Sequence, residues 1–184
     1  MLVDIDMDFP TDPTISASLK YHASKILAHR ATLDWVQKFK PHFNVITLHP
    51  SFVFGRSLTQ NTADELNGTN AMLWGTLFSE KPGIPCTAVD VKDVAAAHLK
   101  ALVVNVGRDV AVQEFLLNNA SWTWERVAEF VKEKYPSLGM KMVGPFNVPP
   151  EVEAKRAEDL LGLRWRTMEE TLSSVVDQQL ALRG

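Results

Sequence analysis

The chain has 184 residues, a length that suits one domain or one large piece of a bigger one. Hydrophobic residues make up 46% and charged residues 22%, the balance of a soluble globular protein, and the net charge of -3 excludes a nucleic-acid surface, which needs a basic patch. Lys and Arg are scattered with no membrane or DNA tether, and no apolar run approaches the ~20 residues that span a bilayer.

Residues 1–14 read as a loop: acidic, with Pro10 and Pro13, and without the basic and apolar regions of a targeting segment. The lone Cys86 cannot form an internal disulfide, so a reducing, cytoplasmic setting is expected. The sequons at Asn67 and Asn119 are then expected to stay unmodified. His22, His29, His42, His49 and His98 show no metal-ligand spacing, and no metal is expected.

A long helix is predicted from Ser16 to Phe39, with Ile26, Leu33 and Val36 on one stripe and Pro41 beyond its end. The β-branched run 43–49 reads as a strand buried on both faces, as in a parallel sheet, followed by a tight exit loop over 51–55. Polar residues fill 56–67, and a helix is predicted at 69–79. After the turn 81–85 come a strand at 86–89 and a helix at 91–104 capped by Asp90. A strand at 113–117 precedes a helix at 122–134 capped by Ser121. Pro149-Pro150 opens a helix ending at Gly162, and Thr167-Met168-Glu169-Glu170 is a capping box for a last helix at 168–182. Helices alternating with strands indicate an α/β fold with parallel strands. Residues 15–120 form the sheet-bearing part and 121–184 a mostly helical region.

The chemistry centres on Tyr21-His22-Ala23-Ser24-Lys25. Residues four apart share a helix face, so Tyr21 and Lys25 stack. A phenol beside an ammonium yields its proton more readily. That suits a general acid protonating a carbonyl oxygen while a hydride reaches the carbon, with the lysine also in reach of a cofactor ribose. Tyr-x-x-x-Lys is common by chance. Here its setting adds weight: the motif lies near the start of a long helix, and a buried strand ending in a Pro-initiated loop follows.

Those residues, with Val45-Ile46-Thr47-Leu48-His49-Pro50-Ser51-Phe52-Val53-Phe54-Gly55, Val89-Asp90-Val91-Lys92-Asp93-Val94-Ala95-Ala96-Ala97-His98 and Leu161-Gly162-Leu163-Arg164-Trp165, resemble the extended short-chain dehydrogenase/reductase superfamily. Within it the resemblance is to the NAD(P)-dependent epimerase/dehydratase family, and the nearest branch resembles the dihydroflavonol-reductase-like aldehyde and ketone reductases, including methylglyoxal-reductase-like enzymes. The resemblance implies the C-terminal part of an NAD(P)-binding Rossmann-like fold with a small, mostly helical substrate-side region. It implies Tyr21 as proton donor, Lys25 as its activating, ribose-binding partner, and Pro50, Phe52 and Val53 in the loop facing the nicotinamide. The implied cofactor is NADP (NADPH), and the implied substrate a small-molecule carbonyl compound such as those of secondary metabolism.

Two parts of the family pattern have no match. No three glycines are spaced as G-x-x-G-x-x-G, the loop whose N–H groups cradle the pyrophosphate, so the N-terminal nucleotide-binding half is read as absent. Ser16 and Ser18 lie too close to Tyr21 to be the family's substrate-holding hydroxyl, and Arg56 stands where the family has Pro. Two alternatives therefore remain: a non-catalytic truncated remnant or interaction partner of a reductase, and an NAD-dependent nucleotide-sugar epimerase or dehydratase. Trp74, Trp122, Trp124 and Phe146 are candidates for a substrate pocket or for core; His49 could touch substrate, and Cys86 reads as a buried small hydrophobe. Without inner neighbours the strand at 43–49 would expose an apolar edge. The isolated chain is accordingly expected to be marginally stable or to pair with a second polypeptide completing the sheet. Calorimetry with sedimentation checks this, and a cooperative, high-temperature melt of a monomer would count against it.

Overall fold

The computed structural model describes residues 16–107 and 111–184, so the predicted loop at 1–14 lies outside the described residues. These residues form two compact units. One takes in the described residues up to Val45 together with the described part of Gly107–Gln113; the other holds Ile46–Val106 and Glu114–Gly184. No helix among the described residues is long and apolar enough to cross a membrane.

The first unit is dominated by helix α1, Ala17–Phe39. Ser16 starts it, its side chain accepting from the Leu19 N–H at 3.2 Å. Ser16 is thus a helix cap. The helix stops at Lys40, whose left-handed backbone turns its N–H onto the Val36 carbonyl at 2.9 Å. Of its 23 residues only Ala23 and Val36 are buried.

Strand β1 is Val45–Pro50, two residues later than its predicted start. Phe43 is left out and stacks on Trp35, ring centroids 6.3 Å apart. The strand is half-buried along its length, with Pro50 exposed, rather than buried on both faces. The reason is its neighbourhood: among the described strands it pairs only with β4, Val112–Leu117.

The predicted exit loop contains a strand, β2, Phe52–Phe54. It pairs in parallel with β3, Ala88–Asp90, in the register Phe52–Ala88, Val53–Val89, Phe54–Asp90. An antiparallel bridge between Ala88 and Asn119 joins β3 to the chain leaving β4. Side chains alternate across this pair as the pleat demands. Phe52, Phe54 and Ala88 enter one core with Leu73, Leu77, Trp122 and Val127, whereas Val53 and Val89 enter a second with Phe115, Leu117 and Ala157.

The remaining helices are α2 (Gly68–Leu77), α3 (Val91–Ala101), α4 (Trp124–Lys134), α5 (Lys155–Leu161) and α6 (Met168–Arg183). Asp90 caps α3 as predicted, accepting from the Lys92 N–H at 2.7 Å, and the Thr167–Glu170 capping box opens α6. Two caps differ from the sequence expectation. Thr123, not Ser121, caps α4, accepting from the Arg126 N–H; Ser121 instead donates its N–H to Asn119. Pro149-Pro150 does not open α5, which begins six residues later and ends at left-handed Gly162 as predicted. Residues 151–154 between carry no regular secondary structure.

Gly55 follows β2 at φ +143°, a region side chains rarely occupy, and a Cβ there would lie 2.7 Å from Val91 Cγ1. Gly55→Ala is expected to destabilise the chain by about 2–4 kcal/mol, backbone strain plus a displaced Val91. Urea unfolding at equilibrium measures it, and a loss under about 0.5 kcal/mol would contradict this account.

Candidate functional site

The Tyr-x-x-x-Lys motif lies in the first three turns of α1, where helical period alone puts both side chains on one face. The Lys25 Nζ sits over the Tyr21 ring, 5.4 Å from its centroid. Tyr21 is 58% exposed, so its phenol is open to solvent. The His22 ring meets its edge at 5.8 Å, and the Ser24 hydroxyl donates to the Tyr21 carbonyl at 2.7 Å. The unit thus presents an accessible phenol paired with an ammonium. This arrangement can hold a proton at the phenolic oxygen and offer donors to a ligand hydroxyl.

Pro50, Phe52 and Val53 belong to the second unit. Pro50 ends β1, and Phe52 and Val53 form two of the three residues of β2 rather than a loop. Ser51 between them donates its N–H to the Leu117 carbonyl at 3.0 Å, and Phe52 N–H reaches Thr87 O at 3.3 Å. The Thr69 hydroxyl donates to the Val53 carbonyl. Beyond β2, the Asn70 amide pairs with both backbone groups of Gly55, and the Gln178 amide with both of Ser57. None of these side chains was singled out in the sequence. Gln178 lies about 120 positions from its partner, and an amide bound to main chain leaves no local pattern.

The same unit has a groove of about 570 Å³ between 81–86 and 145–150, with Trp124 and Phe146 among its walls. Trp122 and Trp74 take the other expected role: Trp122 is buried in the core and Trp74 packs against it. Of the residues lining the groove only Lys81 is charged. His49 bonds the Thr47 hydroxyl at 2.9 Å and lies 3.9 Å from Glu114, so its ring is engaged within the protein. The other tyrosine, Tyr135, is buried and donates to Asp177 at 2.7 Å; burial raises its phenol, a structural hydrogen bond rather than a second acid.

No family model matches the chain. A ketoreductase of Aspergillus fumigatus, sphI, is 33% identical, the match covering 96% of this chain and 57% of that protein. A ketoreductase of Aspergillus niger, azaE, is 31% identical over 87% of this chain and 50% of its own length. Among solved structures, yeast methylglyoxal/isovaleraldehyde reductase Gre2 complexed with NADPH superposes with a TM-score of 0.71 at 24% identity, covering 89% of this chain and 52% of that one. The fold is therefore the α/β, Rossmann-like reductase fold, and the chain spans about half the length of the relatives it matches.

Cys86 borders the groove ahead of β3, and burial, helped by Glu125, pushes its thiol up to about 12. The sign is unfavourable to the thiolate, the reactive form, whose fraction at pH 8 is on the order of 10⁻⁴. Native protein is expected to react with a thiol-specific disulfide reagent at least about a hundredfold more slowly than protein in urea, where the ordinary thiol pKa returns. Comparable rates in the two states would mean an accessible thiolate instead.

Proposed function

The chain belongs to the extended short-chain dehydrogenase/reductase superfamily, on its dihydroflavonol-reductase-like branch, and from that premise we propose that it is an NADP-dependent carbonyl reductase of aldehydes or ketones, such as the ketone intermediates of secondary metabolism. The observation that carries the reading is the exposed Tyr21 phenol with the Lys25 ammonium over its ring. The residues present fit the nicotinamide–ribose end of the cofactor: an open phenol and a flexible ammonium on one helical face. When bound, the nicotinamide supplies the hydride. Tyr21 gives its phenolic proton to the substrate oxygen, and the Lys25 charge stabilises the phenolate left behind. Lys25 would also hold the cofactor ribose, and Pro50, Phe52 and Val53 are the residues that would line the nicotinamide. Residues 15–120 carry this cofactor side and 121–184 the substrate side.

The groove beside Trp124 and Phe146 supports small apolar carbonyl compounds as substrates. Its single charged residue, Lys81, is a poor match to the diphosphate of a nucleotide sugar, which disfavours the epimerase or dehydratase alternative. A second reading, an interaction partner of another polypeptide, is favoured by β1: its pairing among the described strands is on one side only.

NADPH titrated into the purified chain, followed by the fluorescence of the reduced nicotinamide, decides between the two. Enhancement at micromolar cofactor is expected for the reductase. No change up to millimolar NADPH would leave the interaction partner as the surviving reading. With binding in place, Tyr21→Phe is expected to retain it and to lose roughly 10²–10⁴ in turnover.

A further inference from the structure

The chain leaving β2 is held by side chains rather than by a neighbouring strand. Asn70 accepts the Gly55 N–H at 3.3 Å and donates to the Gly55 carbonyl at 2.7 Å. Gln178 does the same for Ser57, accepting its N–H at 2.8 Å and donating to its carbonyl at 2.8 Å. Between them the Arg56 N–H reaches the Ser174 hydroxyl at 3.2 Å. One residue beyond Gln178, Gln179 exchanges amide hydrogen bonds with Gln60 at 2.9 and 3.2 Å. The anchors come from two helices: Thr69 and Asn70 from the first turn of α2, and Ser174 and Gln178, one turn apart, from α6.

A planar amide facing both polar groups of one residue acts as a one-residue strand partner, fixing the backbone in distance and in rotation. Gln178 is 2% exposed and Gln179 is fully buried, so these amides are taken out of water, a cost met only by the bonds they make. The segment they fix is continuous with β2, and the Thr69 hydroxyl on Val53 carries the same restraint into the strand.

We propose that Asn70 and Gln178 are positioning residues of the reductase, holding Gly55 and Ser57 and, through the main chain, setting where Phe52 and Val53 stand. This rests on the reading that Phe52 and Val53 face the nicotinamide. A merely structural clamp would satisfy the backbone and affect stability alone; a positioning clamp also sets cofactor affinity.

The test compares Asn70→Leu and Gln178→Leu with the unaltered chain and with Thr167→Ala, which removes the α6 cap away from this segment. Hydrogen exchange is followed for the amides of residues 52–57, and NADPH affinity by nicotinamide fluorescence. Both Leu variants are expected to exchange at least tenfold faster over 55–57 and to bind NADPH about tenfold more weakly. Thr167→Ala should melt earlier while keeping its affinity. Unchanged exchange in the Leu variants would overturn the clamp. Faster exchange with unaltered NADPH affinity, or an affinity loss matched by Thr167→Ala, would overturn the positioning role and leave the reductase reading standing. If the unaltered chain itself binds no NADPH, the reductase reading falls and this role with it, while exchange still reports whether the clamp exists.

Discussion

Three residues of parallel pairing, Phe52–Phe54 against Ala88–Asp90, organise the larger unit. Because successive side chains leave a strand on opposite faces, this short pair feeds two apolar cores at once. Phe54 reaches one, packed against Trp122 with ring centroids 5.5 Å apart, while Val53 and Val89 reach the other beside Phe115 and Leu117. A slip of one residue would exchange the two sets of side chains and put aromatic rings where valines fit. The register is therefore fixed by packing on both sides, and a strand of three residues can persist where its own ladder is too short to hold it.

What the ladder lacks is made up by polar side chains spent on main chain. Asn70 and Gln178 serve the segment after β2, and Asp93 serves the segment before α6. Asp93, buried at the start of α3, accepts the Arg166 N–H at 2.8 Å and pairs with the Arg166 guanidinium. Burial pushes its carboxyl above the usual range and outweighs the opposing pull of Arg166. Such a pair adds less net stability than its charges suggest, since desolvation consumes the gain. Its effect is to fix one connection, tying the chain between α5 and α6 to the helix that follows β3. Lys100 does likewise, donating to the Gly162 carbonyl at 2.8 Å.

Sequence legibility followed the range of the interactions. Asp90 and the Thr167–Glu170 box were readable because a cap and its helix lie within a few residues. Gly162 was readable because a left-handed stop favours glycine. Ser121 was misread because Thr123, two residues on, offers the same hydroxyl chemistry, and only the fold decides which one meets the helix. Pro149-Pro150 satisfied the rule for a helix start, yet no hydrogen-bonded turn follows before Lys155. β2 was missed because three residues between Pro50 and Gly55 show no period, and its partner lies 36 positions away in the register Phe52–Ala88.

The same distinction separates the two sets of candidate residues, each within its own unit. The Tyr21–Lys25 geometry needs only one continuous helix, and α1 supplies this from its own ends: a Ser16 cap at one, a left-handed Lys40 at the other. Little of α1 is buried, so its sequence is free to place chemistry on the surface. Phe52 and Val53 have no such independence. Their positions follow from Ala88 and Val89 beside them and from the Thr69 hydroxyl on Val53, and the chain that leaves them is held by an amide on a helix more than a hundred residues later. A phenol and an ammonium can thus be read from a spacing of four. The surface that would face a cofactor ring is settled only when the whole sheet-and-helix unit has closed around it.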